Sequence, residues 1–240
     1  MSWLEQAWSR ATALAPALPV ETALATGLVA LGVVAWRPSW RAWRTALVLA
    51  HEGGHGVVAA LAGRRLRGIR LHPDASAVTV SVGPARGLGV VAVLLAGYPA
   101  PALVGLGAAA LLAAGRPAAV LWAVLLALAL LAVQVRGWRA VGALAATAVP
   151  VGVVTWWAPA PALQAVAALL AWGLLLGAPR GVAELARSRR TGRGGGRSGS
   201  DADQLARLTG VPGLLWVGLF ALATTAAAVW GGSLLLGLPH

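Results

Sequence analysis

The feature that most restricts this chain is the length of its apolar blocks. Seven stretches stand out: Val20–Trp36, Ala46–Ala62, Leu88–Ala114, Ala118–Val135, Ala140–Trp157, Ala162–Leu176 and Val211–Leu236. At 1.5 Å per residue, about 20 helical residues cross a hydrocarbon core about 30 Å thick. Only helices and closed barrels satisfy their backbone polar groups there, and blocks this rich in Ala and Leu favour helix. Composition agrees: charged residues make up 11% and hydrophobic residues 59%, with mean hydropathy +0.78. A soluble domain carries about 25% charged residues, so this chain has too few to coat a water-facing surface. The expected fold is an all-α polytopic membrane protein with about seven transmembrane helices and a small β-hairpin after the second.

The hairpin is read from Leu66 to Val82, where Val78, Val80 and Val82 alternate with Thr79 and Ser81 around a turn at His72-Pro73-Asp74. Pro99 and Pro101 are expected to kink the third span, and Pro159 and Pro161 to mark a tight turn. Trp36, Trp40, Trp43, Trp156 and Trp157 stand where an interfacial aromatic belt is expected. Residues 1–19 form an N-terminal segment without a secretory-signal layout, so the first span is expected to be retained. Residues 20–186 form the membrane domain. Residues 187–200, with three consecutive Gly at 194–196, read as a flexible basic linker, and 201–240 as an acidic pair followed by the last span.

All 19 basic residues are Arg, and the net charge is +12. In so apolar a chain this charge points to cytoplasmic loops and anionic headgroups, not to nucleic acid. The N-terminus and the loops after the second, fourth and sixth spans hold 15 Arg; the other side holds Arg37, Arg41, Arg44 and Arg116. Positive-inside logic therefore places the N-terminus in the cytoplasm and the C-terminus outside. The expected location is a bacterial plasma membrane. Without cysteine, thiolate catalysis and cysteine metal sites are excluded.

The chemistry concentrates in His51-Glu52-Gly53-Gly54-His55, within the second span. On a helix, residues four apart return to the same face, so the two imidazoles can grip one zinc with Glu52 beside them. Zinc acidifies a water towards a pKa of ~7, and the carboxylate can take its proton as the oxygen attacks a carbonyl. The bland reading is a polar cluster bonding between helices. Three ionisable groups within five residues of a span are too costly for that, and such groups are functional by default. A catalytic zinc needs a third protein ligand. The acids available are Glu5, Glu21, Glu52, Asp74, Glu184, Asp201 and Asp203. Ser200 and Asp203 are spaced as a capping box for the last helical segment. His72 and Asp74 read first as a turn with a local side-chain bond, and stand next in line as ligands. Gly53 and Gly54 can let another helix or the substrate approach closely, and Tyr98 reads as a packing or interfacial residue.

At these residues the sequence resembles the site-2 protease family of intramembrane zinc metalloproteases. The resemblance rests on His51-Glu52-x-x-His55 in an early span, a short hairpin directly after it, and an acidic residue before a late span. It implies cleavage of membrane-protein substrates within or near the bilayer, often in signalling, with zinc as cofactor and Glu52 as general base. It also implies that the hairpin pairs with extended substrate. The family's usual Asn or Leu-Asp-Gly second motif is missing. Ser200-Asp201-Ala202-Asp203 instead resembles a divergent branch with Ser-Asp-Ala before the last helix, which implies Asp201 as third metal ligand, with Asp203 as the alternative. Two other classes compete with a protease: a non-proteolytic metal-binding membrane protein (a transporter or sensor) and an inactive interaction protein. A transporter spreads its ligands along a pathway and has no use for a Glu beside two His.

Overall fold

The computed structural model describes residues 2–71, 77–191 and 199–239. Their elements are α1 (Trp3–Thr12), α2 (Val20–Ala35), α3 (Arg37–Leu61), β1 (Arg65–Leu71), β2 (Ala77–Val82), α4 (Leu88–Ala96), α5 (Pro99–Ala113), α6 (Pro117–Gln134), β3 (Val135–Arg136), α7 (Trp138–Trp157), α8 (Ala160–Arg190), α9 (Asp201–Thr209) and α10 (Gly213–Leu235). Every expected apolar block is helical. The third is broken at Gly97-Tyr98, where α4 and α5 meet at 62°, because Pro99 and Pro101 offer no N–H to the preceding turn.

The helices α6, α8 and α10 are each long and apolar enough to cross a bilayer, and counting each of two bent pairs as one span brings the number to five. The seven separate spans expected from sequence are not confirmed by the helix geometry. One span of the difference lies in α7, whose apolar stretch Val141–Trp157 is short, and the other in the first two blocks. The helix α2 lies along α8 in the same direction, with Gln164 donating to the Pro16 carbonyl and Trp172 to that of Ala23. At Trp36 the chain then turns by 100° into α3, which crosses α8 instead of running antiparallel to α2. One side of α3 sets Trp40 and Arg44 against Glu184, while Trp43 bonds the Gly173 carbonyl.

This changes which Arg residues share an end. Arg10 bonds the Trp156 carbonyl and Ala15 bonds that of Gly115, so the N-terminal segment sits where α5 meets α6 and α7 meets α8. The sheet is at the opposite end, since β3 joins α6 to α7. The Arg37–Arg44 segment, paired with the second half of α8, goes with the sheet end. Among the described residues, Arg10 and Arg116 belong to the N-terminal end, and the other Arg to segments at the sheet end.

The hairpin is present, with β1 and β2 antiparallel and Thr79 opposite Ile69. Sequence reasoning missed the third strand, β3, which adds parallel to β1 and gives the order β2-β1-β3. Two residues carry no period to read. His72 and Asp74 lie outside the described residues. The helix α8 runs on to Arg190, so the expected linker is helical in its first four positions; residues 192–198 lie outside the described residues.

The core packs α5, α6, α8 and α10 through small side chains: Ala108, Ala109, Ala167, Ala168 and Ala171, with Leu112, Leu121 and Leu175 filling between. Small residues let backbones approach closely enough for dispersion to hold helices in lipid. The outside is apolar too. Leu28, Leu103, Leu126, Leu130, Leu214 and Leu222 are all more than half exposed, a surface that water does not tolerate and acyl chains do. Of the Trp expected at the interfaces, Trp36 and Trp157 are exposed, whereas Trp40 is buried, its ring beneath the Arg180 guanidinium at 4.3 Å.

Candidate metal centre

The helix α3 places Glu52 and His55 in the interior, at 4% and 7% exposure. The two imidazoles face each other as the four-residue spacing requires, with Nε2 to Nε2 at 3.1 Å. Their orientation is fixed from outside α3. His55 Nδ1 lies 2.7 Å from the Val93 carbonyl, an acceptor, so this nitrogen carries the proton and Nε2 of the neutral ring presents a lone pair. The Tyr98 ring stands edge-on to His51 at 4.8 Å and stacks on Phe220 at 5.1 Å.

The third group arrives from the far end of the chain. Asp201, the first residue of α9, brings Oδ2 to 3.3 Å from both His51 Nε2 and His55 Nε2. Ala202 and Leu205 anchor α9 in an apolar cluster with Leu94, Val182, Leu185 and Phe220; this packing carries its acidic start into the bundle. Asp203 points elsewhere. It closes the capping box with Ser200 and pairs with Arg189 of α8. Burial works against its charge, yet the bonds from Ser200 and Arg189 outweigh it and hold the carboxyl below the usual carboxylate range. The two acids are about 200° apart on the helix and serve different neighbours.

The donor set fits a metal. The three atoms His51 Nε2, His55 Nε2 and Asp201 Oδ2 are 3.1–3.3 Å apart, close to the ~3.3 Å edge of a tetrahedron with bonds of about 2.0–2.1 Å. Asp201 Oδ2 is buried without a hydrogen-bond partner. With His55 donating through Nδ1, its Nε2 lone pair faces the Asp201 carboxylate across the gap, and a cation between them removes the repulsion.

Two close approaches shape the cluster. A methyl group at Gly97 would stand 2.5–2.6 Å from His55 Cε1 and Nε2 and from His51 Cε1, so no larger residue fits where the α4–α5 break passes over the imidazoles. At Gly54 it would meet the Ala96 carbonyl at 2.9 Å, which is how α3 lies tight against that break. The close helix approach expected for this Gly pair is thus made at Gly54. An apolar cavity of about 1370 Å³ reaches the other side of α3, lined by Gly53, Gly54 and Thr79 near the cluster and by Gly107 and Leu111 further off.

Sequence reasoning had no signal for the Val93 carbonyl, for Gly97 or for Arg189. Thr79 was visible only as the polar half of an alternating strand; its hydroxyl in fact reaches Glu52 Oε2 at 2.6 Å.

Within a helical bundle of apolar exterior, two imidazoles and a carboxylate thus lie together beside a buried Glu, a donor set able to hold one metal ion. The family model described as Peptidase M50B-like matches residues 24–231, and the chain belongs to that family, which relates it to the site-2 proteases. No curated protein and no solved structure matches it.

Proposed function

We propose that this protein is a membrane-embedded zinc metalloendopeptidase that hydrolyses peptide bonds of membrane-protein substrates. The observation that carries this reading is Asp201 Oδ2, buried without a hydrogen-bond partner and 3.3 Å from the two Nε2 atoms of His51 and His55. His51, His55 and Asp201 would hold the zinc. Bound there, it supplies Lewis-acid chemistry, acidifying water and polarising the scissile carbonyl. Glu52 takes the proton of the attacking water as the new C–O bond forms. It then returns that proton to the amine as the C–N bond breaks. His55 is held in its ligating tautomer by the Val93 carbonyl. The edge strand β2 offers backbone groups to an extended peptide.

The test is metal dependence on a defined probe: a fluorescence-quenched peptide with one apolar helix of about 20 residues, in detergent micelles. Purified protein should cleave it, lose all cleavage to 1,10-phenanthroline and recover with added zinc. Cleavage that persists in chelator would contradict the reading.

The helix geometry also supports a different membrane arrangement. We place six crossings in a bacterial plasma membrane: the bent pair α2–α3, the bent pair α4–α5, then α6, α7, α8 and α10. The Arg-rich sheet end faces the cytoplasm, and both termini lie outside. A reporter active only outside the cytoplasm should therefore be active when fused before Met1 or after His240, and inactive when inserted within residues 192–198. An inactive N-terminal fusion beside an active C-terminal one would restore seven crossings.

A further inference from the structure

Glu52 sits on α3, but its carboxylate is held by another element. The Thr79 hydroxyl, on β2, lies 2.6 Å from Glu52 Oε2 and 3.2 Å from the Glu52 carbonyl oxygen. A hydroxyl has one hydrogen to give, and the shorter contact to a charged acceptor is the stronger of the two. Glu52 is 4% exposed, so water cannot replace a lost donor easily. Thr79 is half-buried and forms part of the cavity wall that adjoins α3.

The spacing of the elements makes this bond specific. The helix α3 leads through Ala62–Arg64 into β1, and β2 returns antiparallel with Thr79 opposite Ile69. In a strand, successive side chains point to opposite faces, so a slip of one residue would turn residue 79 away from the helix. The β-branched side chain has few rotamers, which keeps its hydroxyl aimed at the carboxylate.

From this geometry we infer that Thr79 is the positioning residue for Glu52: its hydroxyl fixes Oε2 and so leaves Oε1 to serve as the base. The hairpin then acts on the chemistry as well as on the substrate. The inference rests on the peptidase reading and deepens it by naming what holds the base.

Two sets of measurements test it. In the first, with the zinc-loaded enzyme and the quenched helical peptide, Thr79→Val should lower kcat by about tenfold to a hundredfold, the scale of a misplaced reacting group. KM should stay within about twofold and zinc should remain bound, and Thr79→Ser should restore most of kcat. In the second, thermal unfolding of the metal-free protein gives a readout without activity. Thr79→Val should lower Tm in the wild-type background and less in the Glu52→Ala background, since the two side chains are coupled. Thr79→Ala carries both tests if the Val variant does not fold. Full kcat in Thr79→Val, or equal Tm losses in the two backgrounds, would overturn the inference. A wild-type protein without chelator-sensitive cleavage would instead overturn the peptidase reading, while the unfolding measurements on the metal-free protein still read the Thr79–Glu52 bond, so the two failures are distinguishable.

Discussion

Glu52→Gln should leave zinc bound and the fold intact while peptide cleavage falls about a hundredfold or more, the size of a lost general base. The substitution is nearly isosteric, and it leaves the His51 and His55 imidazoles and the Val93 bond untouched. The amide can still accept the Thr79 hydroxyl, so the carboxylate's place in the packing is kept. What is lost is the ability to take a proton from water. Zinc content by metal analysis and turnover of the quenched peptide, measured on one preparation, check this. A Glu52→Gln protein that retains full turnover would remove Glu52 from the reaction.

Asp201→Ala should empty the site, and Asp203→Ala should not. Asp201 supplies the carboxylate oxygen nearest both Nε2 atoms; without it two neutral imidazoles remain, and an incomplete shell holds metal poorly. Zinc per chain should fall from about one to well below half, with activity falling in step. Asp203 bonds Ser200 and Arg189, at the start of α9. Removing it should cost about 1 kcal/mol, as for other helix caps, with zinc retained. The opposite result, zinc lost with Asp203 and kept without Asp201, would move the metal by half a helical turn from where the lone pairs converge.

The two residues show what sequence could and could not supply. The i, i+4 spacing of His51 and His55 fixes their common face whatever surrounds them, because helix geometry is local. The Ser200–Asp203 capping box is local in the same way, and it leaves Asp201 on the other side of α9. The seven apolar blocks likewise become helices wherever they lie. Their direction is not local. Val20–Trp36 and Ala46–Ala62 read as two separate blocks, whereas the helices they form meet at 100° at Trp36, where Trp40 and Arg44 contact Glu184, some 140 residues further along the chain. Counting Arg by alternating loops placed Arg37, Arg41 and Arg44 opposite Arg180 for this reason. The same limit hid β3, two residues whose strand exists only because β1 is beside them, and Gly97, whose missing side chain matters only because two imidazoles lie beneath it.

The central claim is that His51, His55 and Asp201 hold one zinc beside Glu52. Zinc-edge X-ray absorption on the purified protein tests it most directly. The expected shell has two imidazole nitrogens and oxygen donors at about 2.0–2.2 Å, with no sulfur. One imidazole should be lost in His51→Ala and one oxygen in whatever zinc Asp201→Ala retains. A protein that purifies without zinc and takes up none, or one whose shell is the same in Asp201→Ala as in the wild type, would contradict it.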